Sequence, residues 1–318
     1  MNYETFLETV KSALQTRLGD EHSIIINRVS KNNGIVLDGL CIQNPGNAIA
    51  PTIYLNHYYD ALNQGISLET ILDDIIMLAT ETPLPDSMSQ LPMTSPAQFI
   101  DKIVYRLINA PANRELLRDV PHLHYPELEL ALVFCVLLED SDMGQFTSLI
   151  HRDQAERYHL SAKLLTECAI HNTPRLLPPA IVPLQDIVRE LLLESMDDSL
   201  KEEYPDTLTE MPADSHPFYV LSNTSGVNGA CCIFYKSVLK NFAEQMDSDL
   251  YILPSSVHEV LILPDSDEVS CKDLHEMVLS INREELPPSD LLSNHIYRYT
   301  RDSDTITIAY HSPEPLGA

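Results

Sequence analysis

Apolar positions recur along the chain with two periods. Tyr3, Phe6, Leu7, Val10, Leu14 and Leu18 share one helical face, which predicts a helix over residues 3–18. Ser23–Val29 reads as a strand, and Ile35–Ile42 as its return strand. Between them Lys31-Asn32-Asn33-Gly34 supplies a hairpin turn, because Asn-Gly tolerates positive φ. Thr52–Leu62 predicts a short helix rich in aromatics. Ser67 is placed to cap a further helix, in which Leu68, Ile71, Leu72, Ile75, Ile76 and Ala79 keep the helical spacing. The stretch 81–96, with four prolines among polar spacers, reads as an exposed loop.

The pattern resumes with a strand over Ile103–Ile108 and a short helix over Ala112–Arg118. Glu129–Leu138 reads as a buried strand by its length and its Val and Phe content, with Phe146–Ile150 as its partner. Asp153–Tyr158 and Ser161–Ile170 predict helices, and Asn172-Thr173-Pro174 reads as the breaker that ends the second. Leu184, Ile187, Val188, Leu191 and Leu192 form another amphipathic stripe. Glu194–Asp214 carries eight acidic residues and one basic, with Pro205 and Pro212, and reads as a linker. The expected organisation is an N-terminal α+β domain over 1–193, an acidic linker over 194–216 and a C-terminal α+β domain over 217–318.

The stretch Pro217–Asp265 shows the clearest order. Strands are predicted near 217–222, 229–234, 249–253 and 257–263, with a helix over Ser237–Met246. Ser270 caps a further helix with Asp273 at the capping-box position, and 294–299 with 305–310 predict a final hairpin around Arg301–Asp304. Strands occurring as hairpins rather than in strict βα alternation imply an α+β fold, with antiparallel sheets and helices packed on one face. Residues 136–155 and 220–239 align without gaps, pairing Val136 with Val220, Leu137 with Leu221 and Ser141 with Ser225. That weak echo suggests two related or loosely similar halves.

The formal charge of −27 comes from 47 acidic against 20 basic residues. Such a field repels phosphate backbones and anionic membranes, which argues against direct nucleic-acid and membrane contact. It leaves open a nucleic-acid-mimicking decoy for a basic partner. Cys41, Cys135, Cys168, Cys231, Cys232 and Cys271 form no CxxC pair and read as reduced, mostly apolar thiols. If Cys231 and Cys232 lie in a strand, they face opposite ways and one is core. The start of the chain carries charges throughout and has no apolar stretch of a secretory signal, and no run of about 18 apolar residues exists, so a cytoplasmic location is expected.

Candidate chemistry is sparse. Asn223, Ser225, Gly226, Asn228 and Gly229 form a polar turn whose small residues would let a backbone approach a ligand. Ser255, Ser256, His258 and Glu259 follow the 249–253 strand. Cys231 or Ser225 could meet His258 as nucleophile and base only if their strands are neighbours, and His258 and Glu259 point to opposite faces of a strand. No GxSxG elbow, P-loop or HExxH is present. His122 and His124 form an HxH pair that would face one side of a strand, but Pro121 and Pro126 favour a loop. Asp73 and Asp74 are helical neighbours that diverge, and the patch of Tyr54, Tyr58 and Tyr59 fits partial burial.

The segments KNNGIVLDGL (31–40), PTIYLN (51–56), NTPRLLPP (172–179), LSNTSGVNGA (221–230) and ILPSSVHEVLILP (252–264), in this order, resemble a bacterial family from anaerobic gut bacteria, the domain of unknown function numbered five-six-eight-eight. From about 217 onward the chain also resembles, more faintly, the end of another uncharacterised family of bacterial cytosolic proteins. The resemblance implies one inherited architecture and a bacterial cytosol. It carries no activity, cofactor or functional residue. The expected function is therefore a non-enzymatic binding or regulatory module acting on a protein or small ligand, without cofactor or metal. Its ligand contacts are expected at Asn223, Ser225, Asn228, Ser255, Ser256 and His258. The alternative is a hydrolase-like enzyme using the 223–229 turn with Ser255 or His258.

Overall fold

The computed structural model describes residues 1–43, 52–81, 95–141, 144–195, 217–254, 256–266 and 270–317. The fold is α+β with three antiparallel sheets, divided into two compact units, 1–94 and 95–318.

In the first unit, α1 (Tyr3–Leu18) is capped by the Asn2 side chain, which accepts from the Thr5 N–H, and buries Phe6, Val10 and Leu14 completely. β1 (Ser23–Ser30) and β2 (Val36–Gln43) pair in one unbroken register from Ser23 opposite Gln43 to Ser30 opposite Val36. Their 3-10 turn places Asn33 and Gly34 at φ 59° and 70°, the conformation the Asn-Gly pair predicts. The expected helix over 52–62 begins instead as a strand, β3 (Thr52–Tyr54), paired with β2, and becomes α2 only at Asn56–Asn63. The switch is pinned by Asp38, whose N–H donates to the Asn56 side chain and whose C=O accepts from the Leu55 N–H. The Ser67 hydroxyl accepts from the Thr70 N–H ahead of α3 (Leu68–Glu81). Most of the proline-rich 81–96 stretch lies outside the described residues.

The second unit holds two sheets. β4 (Ile103–Asn109), β5 (His122–Tyr125), β6 (Leu130–Ser141) and β7 (Gly144–Leu149) form a four-stranded sheet in which β6 pairs with the other three. α4 (Arg114–Asp119), α5 (Arg152–Arg157), α6 (Ala162–Leu176) and α7 (Leu184–Ser195) belong to the same unit. The six-stranded sheet runs in the order β13-β12-β10-β11-β9-β8. Its strands are β8 (Pro179–Pro183), β9 (Tyr219–Asn223), β10 (Leu250–Leu253), β11 (Val260–Pro264), β12 (Ile296–Thr300) and β13 (Thr305–Tyr310). α8 (Val238–Met246) and α9 (Cys271–Glu284, capped by Ser270) complete it. The acidic stretch 194–216 lies almost wholly outside the described residues, and β8 and β9, on either side of it, are paired in this one sheet.

Two expectations fail here. Asn172-Thr173-Pro174 does not end a helix: α6 continues to Leu176. Asn172 and Thr173 point inward and clamp β4. The Asn172 amide donates to the Ile100 and Ile103 carbonyls (3.0 and 3.1 Å), and the Thr173 hydroxyl accepts from the Tyr105 N–H (3.1 Å). Pro174 costs α6 one intrahelical bond, the one its missing N–H would make to the carbonyl of Ile170, a residue on the exposed face. Second, 229–234 is a buried 3-10 helix rather than a strand. The element order of 220–239 therefore differs from that of 136–155, which is strand, strand, helix.

Replacing Asn172 by Ala should strand two carbonyls beneath α6. Urea unfolding is expected to show a loss of about 1–3 kcal/mol; a change below about 0.5 kcal/mol would mean that the clamp contributes nothing.

Candidate functional site

The predicted polar turn is a closed hydrogen-bond network at the end of β9. Asn223 is buried; its Oδ1 accepts from the Ser225 N–H (3.1 Å) and hydroxyl (2.9 Å), and its Nδ2 donates to the Val227 carbonyl (2.8 Å). Gln145, from β7, bridges the loop: its Nε2 donates to Ser225 Oγ (3.1 Å), and its Oε1 accepts from Asn228 Nδ2 (3.0 Å). Asn228 is left-handed at φ 56°, which Asn tolerates better than most residues, and its backbone N–H donates to His258 Nδ1 (3.3 Å).

Gly229 follows because nothing larger fits. A Cβ there would lie 2.1 Å from Ser222 Oγ, 2.5 Å from the Asn223 nitrogen and 2.7 Å from the His258 carbonyl oxygen. The 3-10 helix that it opens, Gly229–Phe234, buries both Cys231 and Cys232, so the expectation of a single core cysteine fails with the strand that suggested it. Burial pushes the Cys231 thiol well above its ordinary pKa, and its Sγ lies 3.8 Å from Tyr235 Oη. A buried protonated thiol is a poor nucleophile.

The bend after β10 completes the arrangement. Ser255 lies outside the described residues. Ser256 is buried, its hydroxyl accepts from the His258 N–H (2.9 Å), and its backbone bridges to Leu291. The His258 carbonyl accepts from Ser222 Oγ (2.8 Å), which ties the bend to β9. His258 Nε2 faces Asp290 Oδ2 at 3.6 Å, both side chains being about one-third exposed. Glu259 is half-buried beside them. Burial raises its carboxyl above the ordinary 4.5, against the opposing pull of His258 and a hydrogen bond with Ser256.

The structure thus brings Asn223, Ser225, Asn228, Ser256 and His258 into one connected set, and adds Gln145, Glu259 and Asp290. Strand alternation predicts that Glu259 faces away from His258, but the strand starts only at Val260 and the alternation does not apply to this pair. Gln145 and Asp290 come from distant stretches with no periodic or motif signal; Asp290 follows Pro287-Pro288-Ser289, which marks only a turn. His122 and His124 do lie in a strand, β5, with ring centroids 6.2 Å apart. Among the described residues no group of three His, Cys, Asp or Glu side chains could hold a metal ion. Tyr58 is buried and donates to Asp74, whereas Asp73 pairs with Arg17. No helix among the described residues is long and apolar enough to cross a membrane.

The model of a family of unknown function, DUF5688, matches residues 3–301, so the chain belongs to that family. No curated protein and no solved structure matches the chain.

Two measurements probe the geometry. Gly229→Ala should destabilise the protein by about 1–3 kcal/mol in chemical denaturation, because the clashes at its Cβ are with backbone atoms as well as a side chain; an unchanged midpoint would mean that the close approach is not needed. For Glu259 the folded-state pKa lies above the unfolded one, so its contribution is present below about pH 4.5 and lost as pH rises through the raised value. Glu259→Gln should therefore raise the melting temperature more at pH 7 than at pH 4, and an equal effect at both would contradict the assigned shift.

Proposed function

We propose that this DUF5688 chain is a non-enzymatic binding module, and that the bend carrying Ser256, His258 and Glu259, with Asp290 beside it, is its contact surface for a cationic partner segment. The observation that carries this reading is the way His258 is held. Its Nδ1 lone pair accepts the Asn228 N–H, and its Nε2 faces Asp290. The Ser225 and Ser256 hydroxyls are engaged within the same network. A serine hydrolase needs an imidazole nitrogen aimed at its nucleophile, and here that nitrogen is spent on the backbone. The same bend carries two acidic side chains, Asp290, about one-third exposed, and Glu259, partly buried. In a chain of net charge −27 they favour a basic ligand both at long range and on contact. A cytoplasmic location, in keeping with six free cysteines, belongs to the same proposal.

A fluorescent hexalysine peptide tests it at about 50 mM salt, where screening is modest. The double variant Glu259→Gln/Asp290→Asn should bind at least about threefold more weakly than wild type, the loss of contact with two partly exposed charges. Glu8→Gln/Glu244→Gln, which removes two exposed carboxylates elsewhere, should change affinity much less. Equal weakening in the two double variants would reduce the effect to net charge and overturn the assignment.

A further inference from the structure

The C-terminal end of α9, the turn that follows it and residues 314–317 line a half-open pocket of about 320 Å³. Leu279, Leu286 and Leu291 supply apolar wall, and Asn282, Arg283 and Asn294 supply polar wall. This volume is at the lower end of the range of small-molecule sites.

Asn282 carries the argument. The residue is 6% exposed, and its Nδ2 donates to the Ser293 carbonyl (3.2 Å) and to Asn294 Oδ1 (2.8 Å). Those two acceptors settle which way the amide faces, since a flip would set Oδ1 against two oxygens. Oδ1 is then closed off from solvent with no hydrogen-bond donor. A buried carbonyl left unpaired is costly, and Asn282 is one of the residues that line the pocket, so a ligand seated there is within a small rearrangement of pairing it. Residues 314–317 are tied to this site by side chains near the surface: Asn294 Nδ2 donates to the Glu314 and Pro315 carbonyls at 3.4 and 3.2 Å, and Arg283 pairs with Glu314.

We propose that this cavity binds a compact apolar molecule ending in an N–H donor, for which a primary amide is the simplest form. The three leucines take the apolar body, and Asn282 Oδ1 accepts the donor once residues 314–317 shift to admit it. This site shares no lining residue with the His258–Asp290 surface, although Leu291 adjoins Asp290 and bridges to Ser256, and its test therefore uses a neutral probe that the carboxylates there have no charge to attract.

The full-length chain is titrated in ¹H–¹⁵N correlation spectra with 4-methylpentanamide and, separately, with methyl 4-methylpentanoate, which has the same tail and no donor. The amide should give saturable shifts confined to residues 279–294 and 314–317, and should bind about tenfold more tightly than the ester, the value of one hydrogen bond to a buried acceptor. Leu286→Trp, which fills the cavity from a partly exposed position, should abolish the shifts without lowering the melting temperature. Absence of saturable shifts with the amide, equal binding of the ester, or unchanged binding to a folded Leu286→Trp protein would each overturn the proposal. The comparison of amide with ester needs only the wild-type chain, so the test survives a variant that fails to fold.

Discussion

The architecture of residues 95–318 depends on one close approach, the backbone at Gly229 against Ser222, Asn223 and the His258 carbonyl. Without a side chain at that point, the chain leaving β9 turns directly beneath the 256–259 bend and enters the 3-10 helix Gly229–Phe234. That helix packs against both β9 and β4, so it joins the six-stranded sheet to the four-stranded one. Its first four residues are small for that reason. Ala230, Cys231 and Cys232 are fully buried, Phe234 stacks on Tyr125 at 4.5 Å, and Tyr235 meets Tyr105 edge-on at 6.0 Å while donating to the Leu177 carbonyl. A larger residue at any of the first positions would force the sheets apart.

A second seam ties the same two sheets. The Asn109 amide donates to the Leu292 carbonyl, the Tyr297 hydroxyl to the Leu128 carbonyl, and His295 Nε2 lies 3.2 Å from Glu129 Oε2. Both seams join apolar packing to polar side chains that satisfy backbone carbonyls in the segments flanking the strands, Leu177, Leu292 and Leu128. The same principle operates at Asn172 and Thr173. Buried polar residues here serve mainly to pair carbonyls and N–H groups where strands end, and this is what makes them poor guides to chemistry. The 223–229 turn is one more case: Asn223, Ser225, Asn228 and Gln145 satisfy one another before any ligand arrives. Binding, in the two proposals made above, turns instead on the carboxylates beside His258 and on the unpaired Oδ1 of Asn282.

Much of the fold was legible in the order of residues because its determinants are local. The α1 stripe, the Asn-Gly hairpin, the Ser67 and Ser270 caps and the long buried β6 each rest on side-chain periodicity or on backbone preference within a few positions, and each forms as the pattern predicts. The α+β class and antiparallel pairing follow from the hairpins. Where the reading failed, tertiary contacts outweighed local preference. Residues 229–234 have strand-like composition but coil into a 3-10 helix to fit between two sheets. Thr52–Tyr54 joins β2 as an edge strand because Asp38 holds the chain there. Asn172-Thr173-Pro174 resembles a breaker, yet two of its side chains pair with residues about 70 positions away, Tyr105 among them, and hold the helix against β4.

By itself the sequence determined the elements with local cause, the net charge, and the few polar stretches able to line a surface. Only the tertiary structure decided which of those stretches meet. Gln145, His258 and Asp290 are linked through Asn228 although they lie far apart in the chain. Such pairings are settled by which faces the core must bury, a condition on the whole chain at once, and no window of neighbouring residues contains it.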